Sequence, residues 1–373
     1  MKLDLDIEQF WKDEETAHND NCFSTEAKQV ACGIRMSDEC VFAELGEEGE
    51  PWGYTPPARR MELNKRYNEK AIKIVGRPLL YEGESYPEDS EFTYRRIGEV
   101  FGGQYVFDGK TEWLRPTLTD NESLKKKLDE IDKMDLRSFI LPANWESEKK
   151  RIFEKYGLKP WEFSGVRGPV TLATSVFGVE NLLFLYYDDP DLFQRFSETI
   201  QKVIIGYIDI FREESGHDKT NFTHGFGFYD DDCNLMTEEM YEMFGLPVLK
   251  AVFDHCSPDS QDRRYQHSDS AMEHLVPILA SLNLTGCNFG PTVTVEHIRK
   301  YMPNTRIDGQ LAPFTFMRNN EDDIIAEVRR DCEMIKATGT RGLNLATAGS
   351  INNGSLLTSM RVVMAALQNY GRY

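Results

Sequence analysis

Polar side chains recur at the ends of short apolar runs in the second half of this sequence, where their types and spacing could do chemistry. The run 162–167 (EFSGVR) ends at Arg167, and 221–226 (NFTHGF) carries His224 and leads into Tyr229, Asp230, Asp231 and Asp232. The run 263–267 (RRYQH) ends at His267, followed by Ser268 and Asp269. Run 283–288 (NLTGCN) ends at Cys287 and Asn288, and 305–309 (TRIDG) leads from Asp308 to Gln310. Run 342–347 (GLNLAT) carries Asn344 and Thr347. Two residues apart and just past a strand, His267 and Asp269 could project toward one point, with Asp231 from a neighbouring strand end completing the cluster. A neutral imidazole with one or two carboxylates suits Zn²⁺, and a Cys287 thiolate is a further candidate ligand. Without metal, the same groups form a general acid and base pair. The spacing does not choose between these chemistries. Each residue also has a plainer reading: His267 as a satisfied core histidine, Cys287 as a small buried hydrophobe, the three aspartates as a solvated loop.

The elements that must hold these residues follow from periodicity. The six runs read as strands, and amphipathic segments of helical period lie between them. Thr237, with Glu238 and Glu239 behind it, opens one helix; Asn319 or Asn320 caps EDDIIAEVRRDCEMI, and Ser355 caps LLTSMRVVMAALQNY. Repeated strand–helix units require a mostly parallel sheet. No phosphate-binding glycine fingerprint follows any strand, and Gly225-Phe-Gly227 reads as a turn, so closure into an eight-stranded barrel is favoured over an open dinucleotide-binding sheet. Segments 29–36 and 72–80 are candidates for the two missing strands. The stretch around Trp52, Pro56 and Pro57 reads as an irregular cap, giving a division into an extension over 1–70 and a barrel over 71–373.

Composition bounds the partners. The 373 residues carry 62 acids against 43 bases, a net −19, and the first fifty residues hold 14 acids and four bases. That balance argues against a nucleic-acid or anionic-membrane surface. No segment has the roughly twenty apolar residues of a membrane span, and the N-terminus lacks the basic and apolar regions of a signal peptide. Seven scattered cysteines without a CxxC pair fit a reducing compartment, so a cytoplasmic protein is expected.

Several blocks resemble the uroporphyrinogen decarboxylase superfamily: RGPVTLATSVFGVENLLFLYYDDPDLFQRFSETI (167–200), DDDCNLMTEEMYEMFGLPVLKAVFD (230–254), HSDS (267–270) and IDGQLAP (307–313). Order and spacing match over roughly residues 95–373. The resemblance implies an α/β fold, a distorted (β/α)8 TIM-type barrel with its cleft at the carboxyl ends of the strands. The Arg-Gln-Ala-Gly-Arg stretch with which true uroporphyrinogen decarboxylases grip a polycarboxylate is missing. Relatives that methylate thiols hold zinc with a His-x-Cys pair and a later cysteine. Here only His267 matches, since Asp269 stands where the first cysteine would be and the last strand has none. What remains is similar to corrinoid-linked methyltransferases and O-demethylases.

The sequence therefore leads to a methyltransferase that moves a methyl group from a small methoxy or methylamine substrate to a corrinoid carried by a partner protein. His267, Asp269 and Asp231 are the catalytic candidates. Arg167, His224, Tyr229, Asn288, Gln310 and Asn344 are the substrate-binding candidates, and His267, Asp269 and Cys287 the ligands of a Zn²⁺ ion if one is bound. A homodimer is compatible with this reading. The alternatives are a metal-independent decarboxylase or lyase acting on a small carboxylic acid, with Arg167 near the carboxylate, and a non-catalytic binding protein that keeps the fold.

Overall fold

The computed structural model describes residues 2–51, 53–83, 86–108, 111–218 and 220–373; Trp52 lies outside them. The chain is α/β. Among the described residues the strands are β1 (Ala31–Cys32), β2 (Gln104–Phe107), β3 (Glu112–Arg115), β4 (Val166–Arg167), β5 (Phe226–Tyr229), β6 (Arg264–Ser268), β7 (Gly286–Phe289), β8 (Arg306–Leu311) and β9 (Leu343–Thr347). Seven of them form one mostly parallel sheet, and β2 and β3 pair antiparallel as a separate ribbon. The chain divides into two compact units, Met1–Ser85 with His267–Tyr373, and Tyr86–Gln266.

In the first unit β1, β9, β8 and β7 are neighbours in that order, with parallel registers that set Ala31 opposite Asn344, Asp308 opposite Asn344, and Cys287 opposite Ile307. β1 and β7 are wholly buried, and in β8 and β9 Ile307, Leu311, Leu343 and Leu345 are buried while Asp308 and Asn344 are half-buried. Helix Glu321–Ala337 begins where expected, because the Asn320 carboxamide accepts from the amides of Asp322 (2.9 Å) and Asp323. The last helix, Leu357–Tyr370, has a different cap from the expected Ser355, whose hydroxyl is buried. Asn319 Oδ1 takes the amide of Leu356 and the hydroxyl of Ser359, and the Glu44 carboxylate takes the amide of Leu357 at 2.9 Å. A cap supplied from 313 positions away cannot be read from local spacing.

The N-terminal segment is more regular than expected. It contributes helices Ile7–Ala17, Asp38–Leu45 and Pro57–Val75, and β1 joins the sheet. The expected strand over 72–80 is instead the end of helix Pro57–Val75, so a boundary at residue 70 falls inside that helix. Leu63, Tyr67, Ala71 and Val75 are all buried at spacings of four, which is a helical stripe. The helix stops at Gly76, whose φ of 89° suits a glycine C-cap. Asp20, Asn21 and Cys22 have φ of 50°, 55° and 69°. This left-handed turn is held by Asn21 donating to Thr285 O (2.7 Å), Arg306 donating to Asn21 Oδ1 (2.7 Å) and Gly342 N donating to Cys22 O (2.9 Å). Part of the acidic excess is internal: Asp13, Glu14 and Glu39 are buried, and Asp13 pairs with Arg372.

The second unit is built around helix Pro190–Ser215, started by Asp189 accepting from Leu192 N and by Pro190 at the first position. Its buried face packs on helix Glu238–Cys256, where Phe193 lies 4.8 Å from Phe244 and Ser197 donates to Phe244 O. Thr237 caps that second helix as expected, accepting from Met240 N. The expected glycine turn at 225–227 is only half correct. Gly225 has φ of 107°, but Gly227 lies inside β5, where a Cβ would come within 2.9 Å of the Arg263 guanidinium. Among the described residues no single helix is long and apolar enough to cross a membrane. The bent pair Pro169–Phe177 and Val179–Asp188 passes by length and composition only, and Pro169–Phe177 is almost wholly buried.

Candidate functional site

In βα folds the reactive side chains sit at the carboxyl ends of the parallel strands, where successive loops converge. In the first unit this end of β6 carries His267, half-buried, and Asp269, exposed. Each offers a ligand atom within 4.8 Å of the other. The loops after β7 and β9 approach them closely because two glycines leave room. A Cβ on Gly349 would lie 2.7 Å from Asp269 Cβ, and one on Gly290 would lie 2.4 Å from Ser270 O. Gly349 also has φ of 107°, so the position excludes side chains on both counts. Ser268 and Ser270 hydroxyls are 2.8 Å apart beneath this pair.

Asn288, expected to touch substrate, instead fastens the strand ends. Its amide donates to Thr347 O at 3.0 Å and to Asp308 O, and its carbonyl accepts from Gly349 N at 3.0 Å. Asn288 thus fixes the glycine that lies against Asp269. Gln310 is 1% exposed, with its amide nitrogen donating to Gly290 O (3.0 Å) and Val293 O. Asn344 lies near the start of β9 rather than its end and donates to Asp308 Oδ1 at 2.8 Å. Asp308 in turn receives two bonds of 2.8 Å from the Arg306 guanidinium. The side-chain amide donors of all three are engaged within the fold.

Cys287 does not fit the expected ligand role. It is fully buried in β7, burial pushes its thiol well above the usual range, and it is not grouped with His267 and Asp269. Every other cysteine is buried as well.

In the second unit Arg167 and Tyr229 are direct partners in the β4–β5 register, both exposed at the carboxyl ends. Arg167 Nη1 donates to Ser175 Oγ at 3.1 Å, which aims the guanidinium across the first turns of helix Pro169–Phe177. The aspartates that follow divide their work. Asp230 is fully buried and accepts from Thr171 N at 2.8 Å, Asp232 takes the Thr174 hydroxyl at 2.5 Å, and Asp231 is half-buried. Gly168 is required by this arrangement, because a Cβ there would lie 2.1 Å from Asp230 Cβ. The sequence signal for the anchor was therefore Arg-Gly-Pro itself, read only with Asp230 in hand.

Burial pushes the Asp230 carboxyl up to about 7. The Thr171 amide opposes that shift, and the negative charges of Asp231 and Asp232 add to it. A carboxyl raised above its unfolded value contributes most below about pH 4, and that contribution fades as pH rises through about 7. Asp230→Asn is therefore expected to melt higher than the wild type at pH 8, by roughly 1–3 kcal/mol, with the difference shrinking toward pH 4. Melting curves across that range check it; a mutant whose deficit is the same at every pH would show that Asp230 serves as a hydrogen-bond acceptor alone.

His224 is misplaced by the sequence reading. The strand expected over 221–226 begins only at Phe226, so His224 precedes β5 and lies at its amino end, away from Tyr229 and Asp231. Its ring nitrogen faces Asp262 and Asp259.

A family model described as Uroporphyrinogen decarboxylase (URO-D) matches residues 162–370. Among solved structures, a methyltransferase from Methanosarcina mazei is similar over 92% of this chain and 94% of that one, with a TM-score of 0.56 and 17% sequence identity. At that identity the likeness is one of fold. No curated protein matches the chain.

Proposed function

The chain belongs to the uroporphyrinogen decarboxylase family, and on that premise we propose that it is a methyltransferase acting on a small methoxy or methylamine compound. The acceptor in this reading is a corrinoid held by a partner protein, whose reduced cobalt supplies the nucleophile. The observation that carries the proposal is the His267–Asp269 pair at the carboxyl end of β6, walled by Gly349 and Gly290. The fold similarity to a protein named a methyltransferase supports the reaction class. The reading takes the sheet as closed into a βα barrel of the TIM type.

Moving a methyl group off oxygen or nitrogen leaves an alkoxide or an amide, both poor leaving groups, so the heteroatom must gain a proton or a Lewis acid. An imidazole beside a carboxylate can hold that proton on the ring nitrogen nearest the substrate, while the carboxylate fixes the ring and balances its charge. We assign His267 as the proton donor and Asp269 as its orienting partner. In the second unit, Arg167 and Tyr229 offer a guanidinium suited to an anionic substituent and a phenol ring suited to an apolar face. In place of that proton, a Zn²⁺ ion would fit His267 and Asp269 as ligands and would supply Lewis acidity toward the heteroatom. With one nitrogen and carboxylate oxygens it would be held less tightly than in a thiolate site.

A second reading, a carboxy-lyase on a small acid, is favoured by the exposed Arg167 guanidinium at a strand end. Mass spectrometry of the products separates the two. Incubation with reduced corrinoid protein and a panel of methoxy and methylamine compounds should yield a product in which a hydrogen replaces one methyl group. Loss of carbon dioxide from a carboxylic acid, without any demethylated product, would reject the methyltransferase in favour of the lyase.

A further inference from the structure

At the amino end of β5, His224 stands between two carboxylates that belong to one tight turn. Its Nδ1 lies 3.1 Å from Asp262 Oδ2 and 3.4 Å from Asp259 Oδ2. Each of the three residues offers one ligand atom within 4.8 Å of the other two. The turn is rigid: Asp259 N donates to Asp262 Oδ2 at 2.8 Å, and Asp262 N donates to Asp259 O at 3.0 Å. The imidazole is held as firmly. Its ring packs on Phe222 at 4.7 Å, Phe222 is covered by the Arg212 guanidinium, and the next residue is pinned by Gly225 N donating to Cys256 O at 2.8 Å.

Two carboxylates converge here without a permanent cation. Among the described residues no lysine or arginine pairs with Asp259 or Asp262, and their only basic partner is the imidazole. Unlike a guanidinium, a neutral imidazole can offer a nitrogen lone pair, so the group can supply one nitrogen and two oxygen donors within 4.8 Å of one another. This donor set goes beyond a patch of acids: nitrogen selects for a transition ion, and the carboxylates favour a divalent charge. We propose that His224, Asp259 and Asp262 bind a divalent first-row transition ion such as Zn²⁺ or Co²⁺. Water would complete its coordination, and the ion would clip the segment before β5 to the turn before β6.

The site is distinct from the proposed catalytic centre. His224 precedes the amino end of β5 and Tyr229 is at its carboxyl end, five positions on, a span of up to roughly 16 Å at ~3.3 Å per residue. The ion's role there is to stabilise the second unit, since a ligand that binds only the folded form raises the melting temperature.

The test is calorimetric titration of the chelator-stripped chain with Co²⁺ and with Zn²⁺, alongside melting curves. It covers the wild type, His224→Ala, Asp259→Asn, Asp262→Asn and the double variant His267→Ala/Asp269→Asn. The expected result is one ion per chain at this site, weakened at least tenfold in each of the three single variants and unchanged in the double variant. Asp259 is exposed, so Asp259→Asn keeps the comparison valid if His224→Ala lowers the metal-free melting temperature. Absence of binding to the wild type at millimolar metal overturns the proposal. So does binding unaffected by His224→Ala and Asp259→Asn, or binding abolished only in the His267/Asp269 double variant. The proposed methyl transfer stands or falls separately, because this readout does not use activity.

Discussion

His267→Ala is expected to lower turnover by roughly 10²–10⁴-fold, the range that a positioned general acid or base contributes, while leaving the melting temperature within a few degrees of the wild type. The residue sits at the carboxyl end of β6, half-buried, in the part of a βα fold that serves chemistry rather than packing. A histidine whose main work is to satisfy the interior would behave in the opposite way, costing roughly 1–3 kcal/mol of stability on truncation. Activity and thermal unfolding measured on the same preparation separate the two. A large loss of stability with activity retained in the folded fraction would remove His267 from the mechanism.

Arg299→Ala is expected to destabilise the chain by roughly 3–5 kcal/mol, the cost of losing several hydrogen bonds from a charged donor to buried carbonyls, with no specific effect on substrate. The guanidinium is 4% exposed, and burial lowers its pKa to about 10. Its Nη1 donates to the carbonyls of Met302 (3.0 Å), Pro303 (2.8 Å) and Thr305 (2.9 Å), and its Nη2 to that of Arg341 (3.0 Å). One side chain therefore ties the end of helix Val295–Tyr301 to the segment leading into β8 and to the loop before β9. Removing it leaves several carbonyls unpaired as well as a cavity beside Phe23. Denaturant unfolding gives the magnitude. A loss under 1 kcal/mol would mean that water replaces the guanidinium without difficulty.

The strands carrying the candidate site were legible because each is a short apolar run ending in a polar residue. β6 to β9 lie within three residues of the expected spans. β4 shrank to two residues and β5 moved toward the C-terminus, and that shift is what took His224 out of the site. The hydrophobic run from Phe226 to Tyr229 follows Asn-Phe-Thr-His without a break in polarity, so periodicity alone could not locate its start. Residues 72–80 failed for the opposite reason: Ile72, Ile74 and Val75 look like strand residues, but tertiary burial of Leu63, Tyr67, Ala71 and Val75 set the helical period. Which polar groups face substrate was hidden altogether. Asn288, Gln310 and Asn344 have the same residue types as binding groups, yet their amides serve backbone and side-chain partners supplied by other strands and loops. Only His267 and Asp269, two residues apart in sequence, could be paired without knowing the fold.

The central claim is methyl transfer through His267 and Asp269, and the absorption spectrum of a reduced corrinoid protein mixed with this chain and a methylated substrate tests it most directly. The account predicts conversion of the reduced cobalt spectrum to the alkylated one with the wild type, and loss of that conversion in His267→Ala at unchanged melting temperature. A cobalt spectrum that stays reduced across the methoxy and methylamine panel, or that changes equally fast with His267→Ala, would contradict it.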